Sequence, residues 1–234
     1  DLGAATVDAV VTDPPYYDSV QYAELADFFY VWLKQSLEPD FPEVFDRDSV
    51  VSEREAVGNR SREKSLGDYR RLLERVFTTA AEALKPDGPM VFTFHHREPE
   101  AWGAVLEAVD GAGLRVVNTY PVRGENRLSV HINGQRAIQL DSAVVCRTVG
   151  DRPTGEWKAV MADIEAESRE RLERFHRSGD DDLSLLDASV VVRGACLTHF
   201  SRYERVLDGD KPVSERAAMR RIGDLTAELN DREF

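Results

Sequence analysis

The sequence predicts an α/β fold in which a parallel or mixed sheet is covered by helices on both faces. Strand-like and helix-like segments alternate over residues 1–150, in the order strand, helix, helix, strand, helix, strand, loop, strand. Such alternation is typical of sheets whose strands are connected by helices packed on the sheet. The 234-residue chain also contains 42% hydrophobic residues, so it can bury a large core without disulfide bonds.

Four apolar segments of strand length make up the predicted sheet: residues 7–12, 90–94, 114–121 and 141–148. The first is rich in β-branched residues and ends at Asp13-Pro14-Pro15, because proline cannot donate to a β-ladder. Ligands of such sheets lie at the carboxyl ends of the strands, so Asp13 and His95 are expected near a site.

Three helices are predicted between these strands. Residues 22–37 are so rich in apolar side chains that we predict a mostly buried helix, with Phe28, Phe29 and Trp32 in the core. Residues 69–84 are amphipathic and end at a Lys-Pro-Asp-Gly turn, and residues 99–112 end at Gly113. Residues 39–66 lack a period and indicate a long insertion.

The composition changes at residue 150, which we take as a domain boundary. Residues 151–234 are predicted to form a mostly helical C-terminal extension. It comprises a charged helix over residues 156–177, a more apolar segment over 183–203 and a final helix over 214–229.

The charge balance is typical of a protein that works in a salt-rich cytoplasm. Asp and Glu number 43 against 30 Lys and Arg, giving a net charge of −13, and only five of the basic residues are lysines. An acidic surface stays hydrated in salt at the cost of self-repulsion at low salt; an ordinary acidic protein is the alternative. The net negative charge disfavours nucleic-acid binding, because it repels the phosphates. In molar salt this repulsion is weakened, since the screening length is only about 3 Å.

Several classes of protein are disfavoured by composition. No apolar run reaches the roughly 18 residues of a membrane span, so no membrane partner is expected. The two cysteines, Cys146 and Cys196, are too few for a zinc ribbon and are expected to be reduced. Neither follows a proline, which disfavours covalent methylation at a ring carbon.

The sharpest chemical signal is Asp13-Pro14-Pro15-Tyr16 after an apolar strand. An exocyclic amine of a nucleobase is a poor nucleophile, because its lone pair is delocalised into the ring. The Asp13 carboxylate and the Pro14 carbonyl can accept its two protons, and the Tyr16 ring can stack on a base taken out of its duplex. The alternative is a strand that simply ends in a double-proline turn capped by Asp13.

This motif resembles the signature shared by N6-adenine and N4-cytosine DNA methylases. The longer stretch from Asp13 to Leu33 resembles a narrower group, the prokaryotic adenine-specific DNA methylases described as containing a zinc ribbon. Residues 84–88, 99–102 and 200–204 are similar to that group as well. The resemblance implies a partial Rossmann-like methyltransferase sheet in residues 1–150, S-adenosyl-L-methionine (AdoMet) as cofactor and DNA as substrate. It also implies that Asp13, Pro14, Pro15 and Tyr16 are catalytic.

The chain departs from that family in two ways. It lacks the Gly-rich turn and the acidic residue that bind AdoMet, and it lacks the zinc ribbon. It looks as though it begins at the fourth strand, so we expect the cofactor-binding strands in a missing N-terminal half or a partner subunit. Cofactor-binding residues are therefore not assigned, and no metal site is predicted.

Five further residues are candidates for substrate binding: Tyr17, His95, His96, Arg123 and Arg127. Tyr17 continues the motif, and the two histidines follow the strand at 90–94. The arginines lie in a basic loop that also contains His131 and Arg136, and they are candidates for phosphate contacts. A polar strand end and a solvated loop are the structural alternatives.

Three functions remain open. The first is methylation of adenine N6 in DNA, which the resemblance alone favours. The second is methylation of cytosine N4 or of an amine on an RNA base, since these present the same chemistry. A non-catalytic fragment that binds nucleic acid or a partner is the third, because the Gly-rich turn is absent.

Overall fold

The structure, a computed structural model, describes residues 3–50, 53–124, 138–177 and 183–233. Its main sheet has four strands: β1 (Val10–Thr12), β2 (Met90–Phe94), β3 (Leu114–Arg123) and β4 (Leu140–Thr148). They are ordered β1-β2-β4-β3. β1 and β2 are parallel, and β4 is antiparallel to both of its neighbours. The predicted α/β class is confirmed, with a mixed rather than a parallel sheet.

Seven α-helices accompany the sheet in the described part of the chain: α1 (Tyr22–Leu37), α2 (Leu66–Ala83), α3 (Pro99–Gly111), α4 (Trp157–Arg177), α5 (Leu185–Phe200), α6 (Glu215–Arg221) and α7 (Gly223–Glu233). α2 begins at a capping box formed by Ser65 and Asp68, and α5 at one formed by Ser184 and Asp187. Each box satisfies backbone N–H groups that the first helical turn leaves without partners.

A second, small sheet was not predicted. It contains β5 (Thr154–Glu156), β6 (Arg205–Asp208) and β7 (Lys211–Val213), in that order. Strands of three or four residues are too short to show an alternating pattern, so the sequence indicated only a helical region here. The predicted final helix is also divided in two, at Ile222.

The core lies on one face of the main sheet. Met90, Phe92 and Phe94 of β2 are buried on this face, opposite Cys146, Val144 and Ser142 of β4. Phe77 of α2 packs on Phe92 with ring centroids 4.9 Å apart, and Trp102 of α3 meets Phe94 edge-on at 5.0 Å. Helices α2 and α3 therefore cover the β2 side of this face.

Helix α5 covers the β3–β4 side of the same face. Its residues from Asp187 to Phe200 are all buried. A Cβ atom at Gly194 would lie 2.8 Å from the Thr119 hydroxyl and 3.3 Å from that of Ser142, so only glycine allows this close approach. One apolar core therefore runs through residues on both sides of position 150.

Within the described residues, the opposite face of the sheet is open and no helix packs on it, which corrects the expectation of helices on both faces. Val11 of β1 is 78% exposed, and Val91, Ala143 and Val145 on the same face are only half-buried. The helices named above that pack on the sheet do so on the other face. The prediction failed because β3 and β4 are neighbours in both sequence and space without a described helix between them, and because α1 does not pack on the sheet.

Helix α1 is mostly exposed, which corrects the prediction of a buried helix. Phe28, Phe29 and Trp32 are 65%, 64% and 63% exposed, and Ala23 is its one buried residue. Polar contacts with the following segment hold the helix: the Ala23 N–H donates to Glu55, and the Tyr30 hydroxyl donates to the Arg47 carbonyl. Apolar composition indicated burial, but no helix or strand of the described chain covers this face.

Cys146 and Cys196 are free and buried, and burial raises the pKa of the Cys196 thiol to about 12. Within the described residues, no helix is both long and apolar enough to cross a bilayer.

Candidate active site

Asp13 lies at the carboxyl end of β1, where the chain leaves the sheet. Its side chain is exposed and accepts a hydrogen bond from the Thr93 hydroxyl of the neighbouring parallel strand β2. Thr12 is paired with Phe92 in the ladder, so Thr93 stands directly beside Asp13. The two parallel strands thus fix the position of the carboxylate.

The two prolines turn the chain away from the ladder. Pro14 is buried, and the Pro15 carbonyl accepts a hydrogen bond of 3.0 Å from the hydroxyl of Tyr69 on α2. Burial raises the pKa of Tyr69, so this phenol stays protonated and continues to donate. The Pro14 carbonyl accepts no hydrogen bond from the described residues, so it retains its capacity to accept one from a ligand.

The Tyr16 ring lies between Phe94 and His95. Both contacts are edge-to-face, with centroids 5.4 Å and 4.9 Å apart. No side chain of the described residues stacks parallel on this ring. Burial raises the pKa of the Tyr16 phenol, the nearby Asp141 and Asp13 carboxylates raise it further, and a hydrogen bond with Thr93 acts in the opposite direction. The phenol is therefore neutral at physiological pH.

His95 is oriented by a carboxylate. Its Nδ1 is hydrogen-bonded to Oδ1 of Asp141, at the start of β4. Because a carboxylate only accepts, Nδ1 carries the proton, and the second ring nitrogen, Nε2, is an acceptor when the ring is neutral. Asp141, His95 and Tyr16 thus form a continuous polar group beside Asp13.

His96 is hydrogen-bonded to several residues around it through both its ring and its backbone. Its ring is buried, with Nδ1 accepting from the Glu98 N–H and Nε2 donating to Asp18, both at 3.0 Å. Its backbone carbonyl accepts from Trp102 and from Arg193, each at 2.8 Å. Both ring nitrogens are occupied, so the ring is held in place by the protein itself.

Tyr17 adopts a left-handed backbone conformation, with φ of 53°. Its ring lies 5.4 Å from that of Tyr69 and 5.5 Å from that of His96, measured between centroids. It also lies directly on Gly58, whose N–H donates to the Tyr17 carbonyl at 3.0 Å. These contacts fasten the chain just after the Asp-Pro-Pro-Tyr motif.

Arg123, at the end of β3, lies at the same end of the sheet. It is exposed, donates to Gln139 at 3.2 Å and is paired in the ladder with Leu140, next to Asp141. Arg127, His131 and Arg136 lie outside the described residues. The predicted substrate-binding residues Tyr17, His95, His96 and Arg123 therefore all lie around the ends of the strands that carry Asp13 and Asp141.

The charge at this site suits the reacting end of a sulfonium cofactor. Asp13 and Asp141 are both close enough to Tyr16 to affect its pKa, and each can attract a positively charged sulfur. The nucleoside end of such a cofactor has no corresponding Gly-rich turn here, because no Gly-x-Gly sequence follows the carboxyl end of a described strand. No group of three or more His, Cys, Asp or Glu side chains suited to a metal ion is present among the described residues.

No protein-family model, no curated protein and no solved structure matches the chain.

Sequence reasoning missed Thr93 and Asp141 as site residues. Both face the open side of the sheet, and their partners come from neighbouring strands. The available signal was their position: Thr93 is an outward-facing polar residue within an apolar strand, and Asp141 lies near the start of β4, the neighbouring strand in the sheet. Their roles depend on strand register, which the sequence does not display.

Proposed function

We propose that this protein transfers a methyl group from AdoMet to the exocyclic amine of a nucleobase, with adenine N6 in DNA as the preferred target. The observation that carries the proposal is the Asp13 carboxylate, held by Thr93 at the end of β1 and followed directly by the Pro14 carbonyl. These two acceptors match the two protons of an exocyclic amine. AdoMet supplies an electrophilic methyl group on a positively charged sulfur.

The protein's residues have distinct roles in this proposal. Asp13 and Pro14 accept the amine protons and draw the nitrogen out of conjugation with the ring, while the half-buried ring of Tyr16 stacks on the base. The methylated nitrogen must then lose a proton. His95, held by Asp141 with Nε2 as acceptor, takes up that proton directly or through water.

Arg123 supports a nucleic-acid substrate. It stands at the same sheet end as Asp13, where a guanidinium can contact a phosphate. Cytosine N4 in DNA and amines of RNA bases fit the same acceptors, so the choice of polymer and base rests on the family resemblance.

The test is a methyl-transfer assay on the full chain in roughly molar KCl, with labelled AdoMet and three acceptors: adenine-containing DNA, cytosine-containing DNA without adenine, and single-stranded RNA. AdoMet binding is measured in parallel by titration calorimetry. Asp13→Ala should abolish transfer, because it removes one of the two acceptors of the amine protons, and Asp141→Asn should lower transfer at least tenfold by removing the carboxylate that orients His95. Asp8→Ala, at an exposed acid just before β1, is the matched control and should retain full activity.

Incorporation into adenine DNA that disappears with Asp13→Ala would support the proposal. Incorporation only into cytosine DNA or RNA would move the target to the corresponding alternative. Absence of both AdoMet binding and transfer by the folded chain would reject the enzymatic proposal for this chain.

A second candidate, a non-catalytic module that binds a partner, is favoured by the exposed aromatic face of α1. Large exposed apolar patches commonly mark interaction surfaces. This candidate predicts that the chain does not bind AdoMet and that Phe28, Phe29 and Trp32 are required for association with its partner.

A further inference from the structure

A cleft of about 730 Å³ lies beside β3, away from Asp13. It is formed by the second half of β3, one side of α4 and the end of α5. None of Asp13, Tyr16 or His95 contributes to its walls. Its volume is within the range that small-molecule sites occupy.

The cleft contains a buried histidine with an unused nitrogen. His199, at the end of α5, is 6% exposed, and its Nε2 is hydrogen-bonded to the Glu167 carboxylate. Since Nε2 carries the proton, Nδ1 of the neutral ring is an acceptor. This buried Nδ1 has no hydrogen-bond partner among the described residues, which is costly unless a ligand or water supplies one.

A carboxylate stands next to this nitrogen. Oδ2 of Asp163, on α4, lies 3.7 Å from His199 Nδ1. Two acceptors at this separation are both within hydrogen-bonding distance, about 2.9 Å, of one nitrogen that carries several hydrogens. A primary ammonium group has the required hydrogens and the charge that complements Asp163, whose half-exposed side chain can rotate to admit it.

An arginine stands on the other side of Asp163. The Arg202 guanidinium is 3.9 Å from the same Oδ2, an ion pair without a hydrogen bond, and both side chains are about half exposed. Such pairs contribute little, so a ligand carboxylate can replace Asp163 as the partner of Arg202. The Arg171 guanidinium, in contrast, already donates to Thr119 at 2.8 Å, to Asn118 at 3.0 Å and to Glu167.

The remaining wall is apolar and partly aromatic, formed by Tyr120, Pro121, Ala166 and Phe175. Among the charged side chains of the lining, three arginines face three carboxylates, so the cleft is close to neutral when His199 is neutral. A neutral lining favours a ligand without net charge over a nucleotide with several phosphate charges.

We propose that this cleft binds a zwitterion of the amino-acid type with an aromatic side chain. Its ammonium group bridges His199 Nδ1 and Asp163, its carboxylate pairs with Arg202, and its ring lies along Tyr120 and Phe175. The inference is independent of the proposed methyl transfer.

Three related probes test it by titration calorimetry on the full chain: L-tryptophan, tryptamine, which lacks the carboxylate, and indole-3-propionate, which lacks the amine. L-tryptophan should bind saturably, and each of the other two at least tenfold more weakly. Equal binding of all three would overturn the proposal, because it would reflect the indole alone. Absence of saturable binding of L-tryptophan by the folded protein would also overturn it.

Variants locate the site. Asp163→Asn and Arg202→Gln should each weaken L-tryptophan binding at least tenfold while leaving the thermal midpoint nearly unchanged, since both side chains are half exposed. Glu173→Gln, an exposed acid on α4 outside the cleft, is the matched control and should bind normally. Normal binding by both cleft variants would place the ligand elsewhere and reject the assignment.

Discussion

Thr93 shows how a neighbouring strand can position a carboxylate. Its hydroxyl donates to Asp13 and also interacts with the Tyr16 phenol. We predict that Thr93→Val lowers the rate of the proposed methyl transfer at least tenfold, because Asp13 loses the contact that fixes it, whereas Thr93→Ser retains most of that activity. Steady-state kinetics check this. The fold-decrease in kcat should be larger than any fold-change in KM for DNA. A Thr93→Val rate equal to that of the parent protein would mean that Thr93 has no positioning role.

Gly58 is required by the ring of Tyr17. A Cβ atom at this position would overlap the ring, and the ring is itself held by Tyr69 and His96. We predict that Gly58→Ala lowers the free energy of unfolding by about 1–3 kcal/mol, the usual cost of overpacking. Urea denaturation measures this change. Gly150→Ala, where nothing lies within 4 Å, is the control and should stay within about 0.5 kcal/mol of the parent protein.

At the scale of residues, the sequence located the Asp13-Pro14-Pro15-Tyr16 motif and the histidines at the end of the next strand. It did not identify the partners of Asp13 and His95, which are Thr93 and Asp141. A motif is local in sequence, whereas a cross-strand partner depends on register, and register is decided by the whole sheet.

Among the helices, α5 is tied to the site strand β4 through its capping box. Asp187 is buried and accepts from the backbone N–H groups of Gln139 at 2.7 Å and Leu140 at 3.0 Å, in addition to its contacts with Ser184. We predict that Ser184→Ala costs about 1 kcal/mol, the typical value of an N-cap. Asp187→Ala should cost about 3 kcal/mol, since it leaves several buried N–H groups without an acceptor.

Chemical denaturation of the two variants checks this ranking. Ser65→Ala, in the equivalent and more exposed box of α2, provides a comparison for an N-cap that has no second role. If Asp187→Ala were no more costly than Ser184→Ala, the link from Asp187 to β4 would not contribute to stability.

Helix α1 illustrates a limit of apolar composition as an indicator of burial. Its apolar residues were expected in the core, yet most of them are exposed. We predict that the triple variant Phe28→Gln, Phe29→Gln, Trp32→Gln changes the free energy of unfolding by about 1 kcal/mol or less. Phe77→Ala, which empties part of the real core, should cost about 3–5 kcal/mol. Urea titrations monitored by circular dichroism distinguish the two; a large loss for the triple variant would show that α1 is buried in solution.

At the scale of the whole molecule, alternation of elements correctly predicted an α/β sheet but not which face is covered. Helices α2, α3 and α5 all pack on the face that contains Phe92 and Val144. The other face carries Val11 at its edge and Asp13, Thr93 and Asp141 near its end. Local periodicity identifies a helix and its apolar side, but the choice of face depends on how connections cross the sheet, and no short pattern specifies that choice.

The net charge of −13 gives the molecule a repulsion that spreads over its entire surface. Raising KCl from 0.1 to 1 M shortens the screening length from about 10 Å to about 3 Å, which weakens repulsion between separated carboxylates much more than it weakens close ion pairs. The compact folded state is destabilised more by this repulsion than the expanded unfolded chain, so salt should favour folding.

We predict that the thermal midpoint rises with KCl, by roughly 4–8 °C if the free energy of unfolding increases by about 2 kcal/mol. Differential scanning calorimetry measures it, and NaCl should act equally if screening is the cause. A midpoint that stays constant or falls would mean that the surface ion pairs, such as those along α4, stabilise the fold more than the excess negative charge destabilises it.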